Sequence, residues 1–168
     1  ESYIKSFNLN AVILRPFNTY GPRQSTRAVI PTIITQMLKN KKIELGSLNP
    51  KRDFNYVDDV CDGFEKILKN NTLNGKEVNI CSGQSISISD LTQLIGKIMK
   101  KKIIIKKSKK RSRPKNSEVD HLEGSQKLFL KHIKNHKKTT LSDGLKKTIE
   151  WYSDTTNLNK FDYKSYTI

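Results

Sequence analysis

Several common functions are excluded by what this sequence lacks. No apolar run approaches the roughly 20 residues that a helix needs to cross a bilayer, so a membrane span is not expected. The eight glycines stand at positions 21, 46, 63, 75, 83, 96, 124 and 144, never at the close spacing of a loop that cradles phosphates. No dinucleotide fingerprint therefore lies in the chain. A Gly-x-Ser-x-Gly elbow and a Walker sequence are also missing, which leaves hydrolase and nucleoside triphosphatase functions without an anchor. Cysteine is scarce. Cys61 and Cys81 each sit in apolar surroundings and read as reduced core thiols of a cytoplasmic protein. His132 and His136 stand four apart among lysines with no further ligands nearby, so both are expected to be exposed and no metal site is expected.

Acidic residues are few as well, 16 against 32 Lys and Arg, for a net charge of +16. Eleven of those basic residues fall between Lys97 and Lys115 with no acid among them. Such a cluster raises the question of a polyanionic partner, because neutralising phosphates releases counterions. The stretch lacks the interleaved aromatics that stack bases, and it encloses the apolar Ile103-Ile104-Ile105. A solvated basic edge beside a strand is the plainer expectation, and a nucleic-acid partner is not expected. What is present suits one soluble domain, since 168 residues with 35% hydrophobic and 29% charged can bury a real core. The chain opens on Glu1 with nothing like a signal peptide after it, and reads as starting at an internal cut.

Periodicity predicts mixed elements. Ser2 to Phe7 suits the last turns of a helix, and Ala11 to Leu14 a strand whose carboxyl end opens into an Asn-, Gly- and Pro-rich loop from Phe17 to Gln24. Open α/β sheets place ligands at such strand ends. Ile30, Ile33, Ile34, Met37 and Leu38 repeat at helical spacing, giving a helix from about Pro31 to Lys39. Strands are predicted at Ile43–Leu45, Asp53–Val57, Val78–Cys81 and around Ile103. A helix begun by Asp58-Asp59 is predicted to turn Val60, Phe64, Ile67 and Leu68 inward, and another to start from Ser89 as its cap. A final helix is predicted from Ser142 to Tyr152, after which the tail shows no usable period. Strands and helices alternating in this way argue for an α/β fold.

The informative segments are Leu14-Arg15-Pro16-Phe17-Asn18-Thr19-Tyr20-Gly21-Pro22-Arg23-Gln24, then Arg27-Ala28-Val29-Ile30-Pro31, then Arg52-Asp53-Phe54-Asn55-Tyr56-Val57-Asp58-Asp59-Val60. They resemble the extended short-chain dehydrogenase/reductases that act on nucleotide sugars, the NAD-dependent epimerase/dehydratase family. Asn79-Ile80-Cys81-Ser82-Gly83, Arg113-Pro114 with Ser117-Glu118-Val119, and Leu145 to Tyr152 are similar to later family segments in the same order, so the resemblance covers about residues 1 to 152. The run from Phe129 to His136 departs from it, lacking the family's Gly and Trp.

The resemblance implies the C-terminal portion of an NAD(P)-binding Rossmann-type fold, its last elements interleaved with a smaller α/β substrate-binding domain over residues 1–168, with the N-terminal Rossmann half absent. It implies NAD as cofactor, a nucleotide-sugar substrate, a homodimer, a cytoplasmic enzyme of polysaccharide biosynthesis, and a Tyr-x-x-x-Lys catalytic pair upstream of residue 1. These 168 residues alone are then expected to be inactive. Pro16, Phe17 and Thr19 are implied to lie by the nicotinamide, and Asn18, Arg27, Ile30, Arg52, Asn79 and Arg113 to meet the substrate. Chemistry agrees for several of these. The neutral amide of Asn18 can donate to diphosphate oxygens, and the planar forks of Arg52 and Arg113 match phosphate. Ile43, Glu44 and Leu45 either flank the nucleobase through backbone groups or form a simple edge strand. Asp53 is expected as the partner of Arg52 or as a strand cap. The wording looks closest to 4,6-dehydratases of UDP-N-acetylhexosamine-like substrates. A 4-epimerase or a UDP-glucuronate decarboxylase is the near alternative, and a basic nucleic-acid-binding module the alternative from another class.

Overall fold

In the computed structural model, which describes residues 2–40, 42–108 and 117–160, the chain runs through α1 (Ser2–Phe7), β1 (Ile13–Pro16), β2 (Asn18–Tyr20), α2 (Val29–Lys39), β3 (Lys42–Leu45), β4 (Lys51–Tyr56) and α3 (Val57–Leu68). It continues through β5 (Glu77–Ile80), β6 (Ser85–Ser87), α4 (Ile88–Ile98), β7 (Ile104–Lys107), β8 (His121–Leu122), α5 (Lys127–His132), α6 (Leu141–Ser153) and α7 (Thr155–Leu158). Pairing is mostly parallel: β1 with β5, β3 with β7, and β4 with both β2 and β8, while β6 joins β4 antiparallel. Parallel pairs need long crossovers. The crossover from β1 to β5 contains β2, α2, β3, β4 and α3, so the two ends of one small sheet bracket the elements that build the cavity described below.

Two apolar clusters hold these elements. The larger takes Ile30, Ile33, Ile34 and Met37 from α2, Leu91 and Ile95 from α4, Leu145 and Tyr152 from α6, and Tyr20 and Tyr56 from the strands. Each fully buried isoleucine or leucine contributes on the order of 1.5–3 kcal/mol before chain entropy is counted. The smaller cluster joins Val60 and Ile67 of α3 to Val78 and Ile80 of β5 and to Phe129 and Ile133 around α5. Gly63 permits this packing, because a Cβ there would stand 3.1 Å from Ile80 and 3.5 Å from Phe129. Among the described residues no helix is long and apolar enough to cross a membrane, and no cluster of His, Cys, Asp and Glu suits a metal ion.

Several local expectations change. Asn18–Tyr20, read as loop, is strand β2, since its backbone pairs in register with Phe54–Tyr56 and Tyr20 is buried. The cap of α4 is Ser87 rather than Ser89: its hydroxyl accepts from the Asp90 N–H and donates to the Asp90 carboxylate, a reciprocal cap at the helix start. Of the expected inner face of α3 only Val60 and Ile67 are buried, joined by Asp59 and Gly63, while Phe64 and Leu68 are exposed. Cys81 is buried as expected, and burial pushes its thiol up to about 11, which keeps it protonated and unreactive; Cys61 is exposed. His136 is not exposed. Its ring stands edge-on to Phe129, with Nδ1 2.8 Å from the Asp62 carboxylate. The tail forms α7, begun by the Asp154 carboxylate accepting from the Thr156 N–H, and Leu158 packs inward.

Candidate functional site

A cavity of about 450 Å³ opens between the start of α2, the strands β2 and β4, and the segment after β3; small-molecule sites run to roughly 300–1,000 Å³. Its wall includes Asn18 and Thr19 of β2, Arg27 and Ile30 at the entry to α2, Arg52 of β4, and Glu118. Leu45, Gly46, Ser47 and Pro50 close another side. Five of the residues singled out from the sequence thus converge: Asn18, Thr19, Arg27, Ile30 and Arg52.

Strand pairing explains the convergence. β2 and β4 run in parallel with Asn18 opposite Phe54, and the Asn18 Nδ2 donates to the Asp53 carbonyl at 3.0 Å. That bond fixes the plane of the amide, leaving its second N–H and its carbonyl to turn toward a ligand. Arg52 is held as tightly. One terminal nitrogen donates to the Lys51 and Val119 carbonyls, and the other lies 2.6 Å from the Glu118 carboxylate. Both side chains of this ion pair are mostly buried, with 14% and 17% exposure, so the guanidinium is oriented before any ligand arrives. The partner of Arg52 is therefore Glu118 and not Asp53.

Asp53 has another task. Fully buried, its carboxylate accepts from the backbone N–H groups of Ser82, Gly83 and Gly124. It ties β4 to the turn after β5 and to the start of the segment before α5. Gly124 lets that segment close up, since a Cβ there would stand 2.5 Å from Cys81 and 2.8 Å from the Phe17 ring.

At the entry to α2, Ala28 occupies the cap position with no side-chain hydrogen bond, and Ala28, Val29 and Ile30 all face the cavity. A helix start without a side-chain cap presents backbone donors and the positive end of the helix dipole, an arrangement suited to an anion.

Other expected residues stand elsewhere. Asn79 lies on β5 opposite Arg15 and reaches the Ser125 carbonyl at 3.5 Å; it is not part of the cavity wall, because β5 belongs to the sheet packed on the smaller cluster. Pro16 is exposed at the carboxyl end of β1. The Phe17 N–H donates to the Ile80 carbonyl, and its own carbonyl accepts the Thr19 hydroxyl, so its backbone is already engaged by the protein. Glu44 is similar: the Gln36 amide both accepts from its N–H and donates to its carbonyl, capping the edge of β3 as a strand would, and only Leu45 of that trio lines the cavity. Arg113 falls outside the described residues.

Two cavity residues, Glu118 and Gln24, lie in segments that carry the resemblance but had no role assigned from the sequence. Glu118 lies 66 positions from the arginine it holds. Gln24 ends the run from Leu14, yet nothing in its spacing shows that its side chain would line the cavity.

Comparison with known proteins gives this geometry a context. A family model described as "NAD dependent epimerase/dehydratase family" matches residues 1–81. The chain is 32% identical over 153 residues to the uncharacterized UDP-glucose epimerase YtcB of Bacillus subtilis, covering 90% of this chain and 47% of that protein. It is 30% identical over 164 residues to human dTDP-D-glucose 4,6-dehydratase, covering 92% and 45%. It superposes with a TM-score of 0.79 on the solved UDP-glucuronic acid 4-epimerase of Bacillus cereus in complex with UDP-glucuronic acid and NAD, 30% identical over 89% of this chain and 47% of that one. The chain spans less than half the length of each of these proteins. The chain is thus similar to the NAD-dependent epimerase/dehydratase family, in sequence over residues 1–81 and in fold over about nine-tenths of its length.

Proposed function

We propose that this chain forms the nucleotide-sugar-binding part of an NAD-dependent sugar-nucleotide enzyme, acting as a 4,6-dehydratase on a UDP-N-acetylhexosamine or a similar substrate. The observation that carries the reading is the convergence of Asn18, Arg27 and Arg52 on one cavity with the start of α2. Two arginines, an amide and a helix start form a donor set for a diphosphate. Arg52 takes the phosphate or ribose edge of the nucleotide, Asn18 the diphosphate, and Ile30 an apolar part of the substrate, with Arg113 as a second phosphate clamp. The relatives support this class of substrate, as their names specify UDP- and dTDP-linked sugars.

For NAD the residues present fit one end only. Pro16 is exposed at the carboxyl end of a parallel strand, where open α/β sheets bind ligands, and Phe17 and Thr19 follow it. These residues border the nicotinamide; the phosphate loop is no part of these 168 residues. Bound NAD supplies a hydride acceptor for the sugar's C4. The chain's own residues hold the diphosphate and so fix the sugar against that acceptor, a positioning role that by itself lowers the barrier. Two copies meet through α1, whose Tyr3 and Phe7 are 71% and 66% exposed, and the protein works in the cytoplasm; sedimentation of the full-length protein as a monomer contradicts the dimer.

The test is the product. Full-length protein incubated with UDP-N-acetylglucosamine and NAD, followed by NMR, is expected to yield a 4-keto-6-deoxy sugar. Formation of the C4 epimer instead replaces the dehydratase with the epimerase reading. Absence of UDP binding, together with steeply salt-dependent binding to RNA or DNA, overturns the enzyme reading altogether.

A further inference from the structure

We propose that Gln24 selects the sugar: its side-chain carbonyl oxygen is a fixed acceptor awaiting a hydroxyl or amide N–H of the substrate. The inference rests on the reading of the cavity as a nucleotide-sugar site. Among the described residues, Gln24 Oε1 is the only buried side-chain nitrogen or oxygen without a hydrogen-bond partner, and Gln24 lines the cavity. Buried polar groups are almost always paired, so a lone one marks a place where a partner arrives.

The amide cannot simply be turned over. Its Nε2 donates to the Thr19 carbonyl at 2.6 Å, and a carbonyl can only accept, so the flipped amide would bring two oxygens together. Nor is the residue free to swing away. Its backbone carbonyl accepts the Tyr152 hydroxyl from α6, and its N–H reaches the Gly21 carbonyl. Gln24 is thus held beside the cavity by bonds that engage its backbone N–H, its backbone carbonyl and its Nε2.

An acceptor selects for donors. Phosphate oxygens and carboxylates would be repelled from it, whereas a hydroxyl or an acetamido N–H would be drawn in. Position points the same way. Thr19, which anchors Gln24, is opposite Asn55, three residues beyond Arg52 along β4, a separation of about 10 Å at the rise of a strand. With the nucleotide at Arg52, Gln24 stands toward the sugar. Loss of a hydrogen bond to a buried acceptor weakens binding about 10- to 100-fold.

The experiment is calorimetric titration of the full-length protein, wild type and Gln24→Leu, with UDP, with UDP-N-acetylglucosamine, and with UDP-sugars lacking one hydroxyl or the acetamido group. UDP is expected to bind both proteins within about 3-fold, because it does not reach Gln24. UDP-N-acetylglucosamine is expected to bind Gln24→Leu about 10- to 100-fold more weakly, and one analogue to show that loss with the wild type but no further loss with the variant. Equal losses for UDP and the UDP-sugar, or an analogue series in which wild type and variant fall in step, overturn the proposal. Failure of the wild type to bind UDP overturns the underlying reading instead. If Gln24→Leu does not fold, the wild-type series still decides: no single group whose removal costs about 10-fold means that no donor meets Oε1.

Discussion

The two halves of β4 are built on opposite principles. Lys51–Asp53 runs between β6 and β8 in polar surroundings, with Arg52 locked to Glu118 and the Asp53 carboxylate gathering three backbone N–H groups. Phe54–Tyr56 pairs with β2 and enters an aromatic cluster, the Tyr20 ring standing edge-on at 6.3 Å from Phe54 and 5.7 Å from Tyr56. The first half is specified by hydrogen bonds and fails when a partner is removed. The second is specified by shape and fails when volume is added. The candidate site sits where the two meet, since Asn18 pairs opposite Phe54 yet donates its side-chain hydrogen bond to the Asp53 carbonyl.

Substitutions can break this contrast, and the largest effect is expected in the polar half. Asp53→Ala leaves three backbone donors without their acceptor inside the protein, and chemical denaturation should show a loss of about 3–5 kcal/mol. A loss below about 1 kcal/mol would mean that water replaces the carboxylate easily. In the aromatic half, Gly144→Ala drives a Cβ into the Tyr20 hydroxyl and to 2.9 Å from the Tyr56 ring, and should cost about 1–3 kcal/mol. Adding Tyr20→Phe to that variant removes the obstructing oxygen and should recover part of the loss, although the bond to the Leu141 carbonyl goes with it. If Gly144→Ala is neutral, α6 is not packed as tightly on the strands as described.

The smallest effect is absent at neutral pH. Burial raises the Tyr152 phenol from 10.0 to about 12, and burial, with the nearby Asp59 second, raises Tyr20 further. The folded chain holds these protons more tightly than the unfolded chain does. Their contribution is complete below pH 10 and falls as the pH rises toward 12. Stability measured from pH 9 to 12 should decline with a slope that Tyr152→Phe reduces; an unchanged slope would place the titration elsewhere.

Much of this fold was legible from the chain. The spacing of Ile30, Ile33, Ile34 and Met37 gave the inner face of α2, and the strand predicted at Asp53–Val57 overlaps most of β4. The strands β2, β6 and β8 were not, because two or three residues carry no period and their pairing depends on segments 32 to 70 positions away. In α3 helical spacing identified Phe64 and Leu68 as apolar, but only the packed structure shows that Gly63 takes the inner position. The same division holds at the site. Asn18 and Arg52 stood out by residue type and motif, whereas the ion pair to Glu118 and the unpaired oxygen of Gln24 are products of tertiary placement.

The central claim is that Arg52 faces a nucleotide phosphate, and titration of the full-length protein with UDP tests it most directly. Arg52→Ala is expected to weaken UDP binding by about 10- to 100-fold, and to do so even when Glu118→Ala removes the stranded carboxylate, while replacing Lys109 and Lys110 together costs less than about 3-fold. Equal losses from the arginine and from the lysine pair would contradict the account, for the binding would then follow overall charge rather than this cavity.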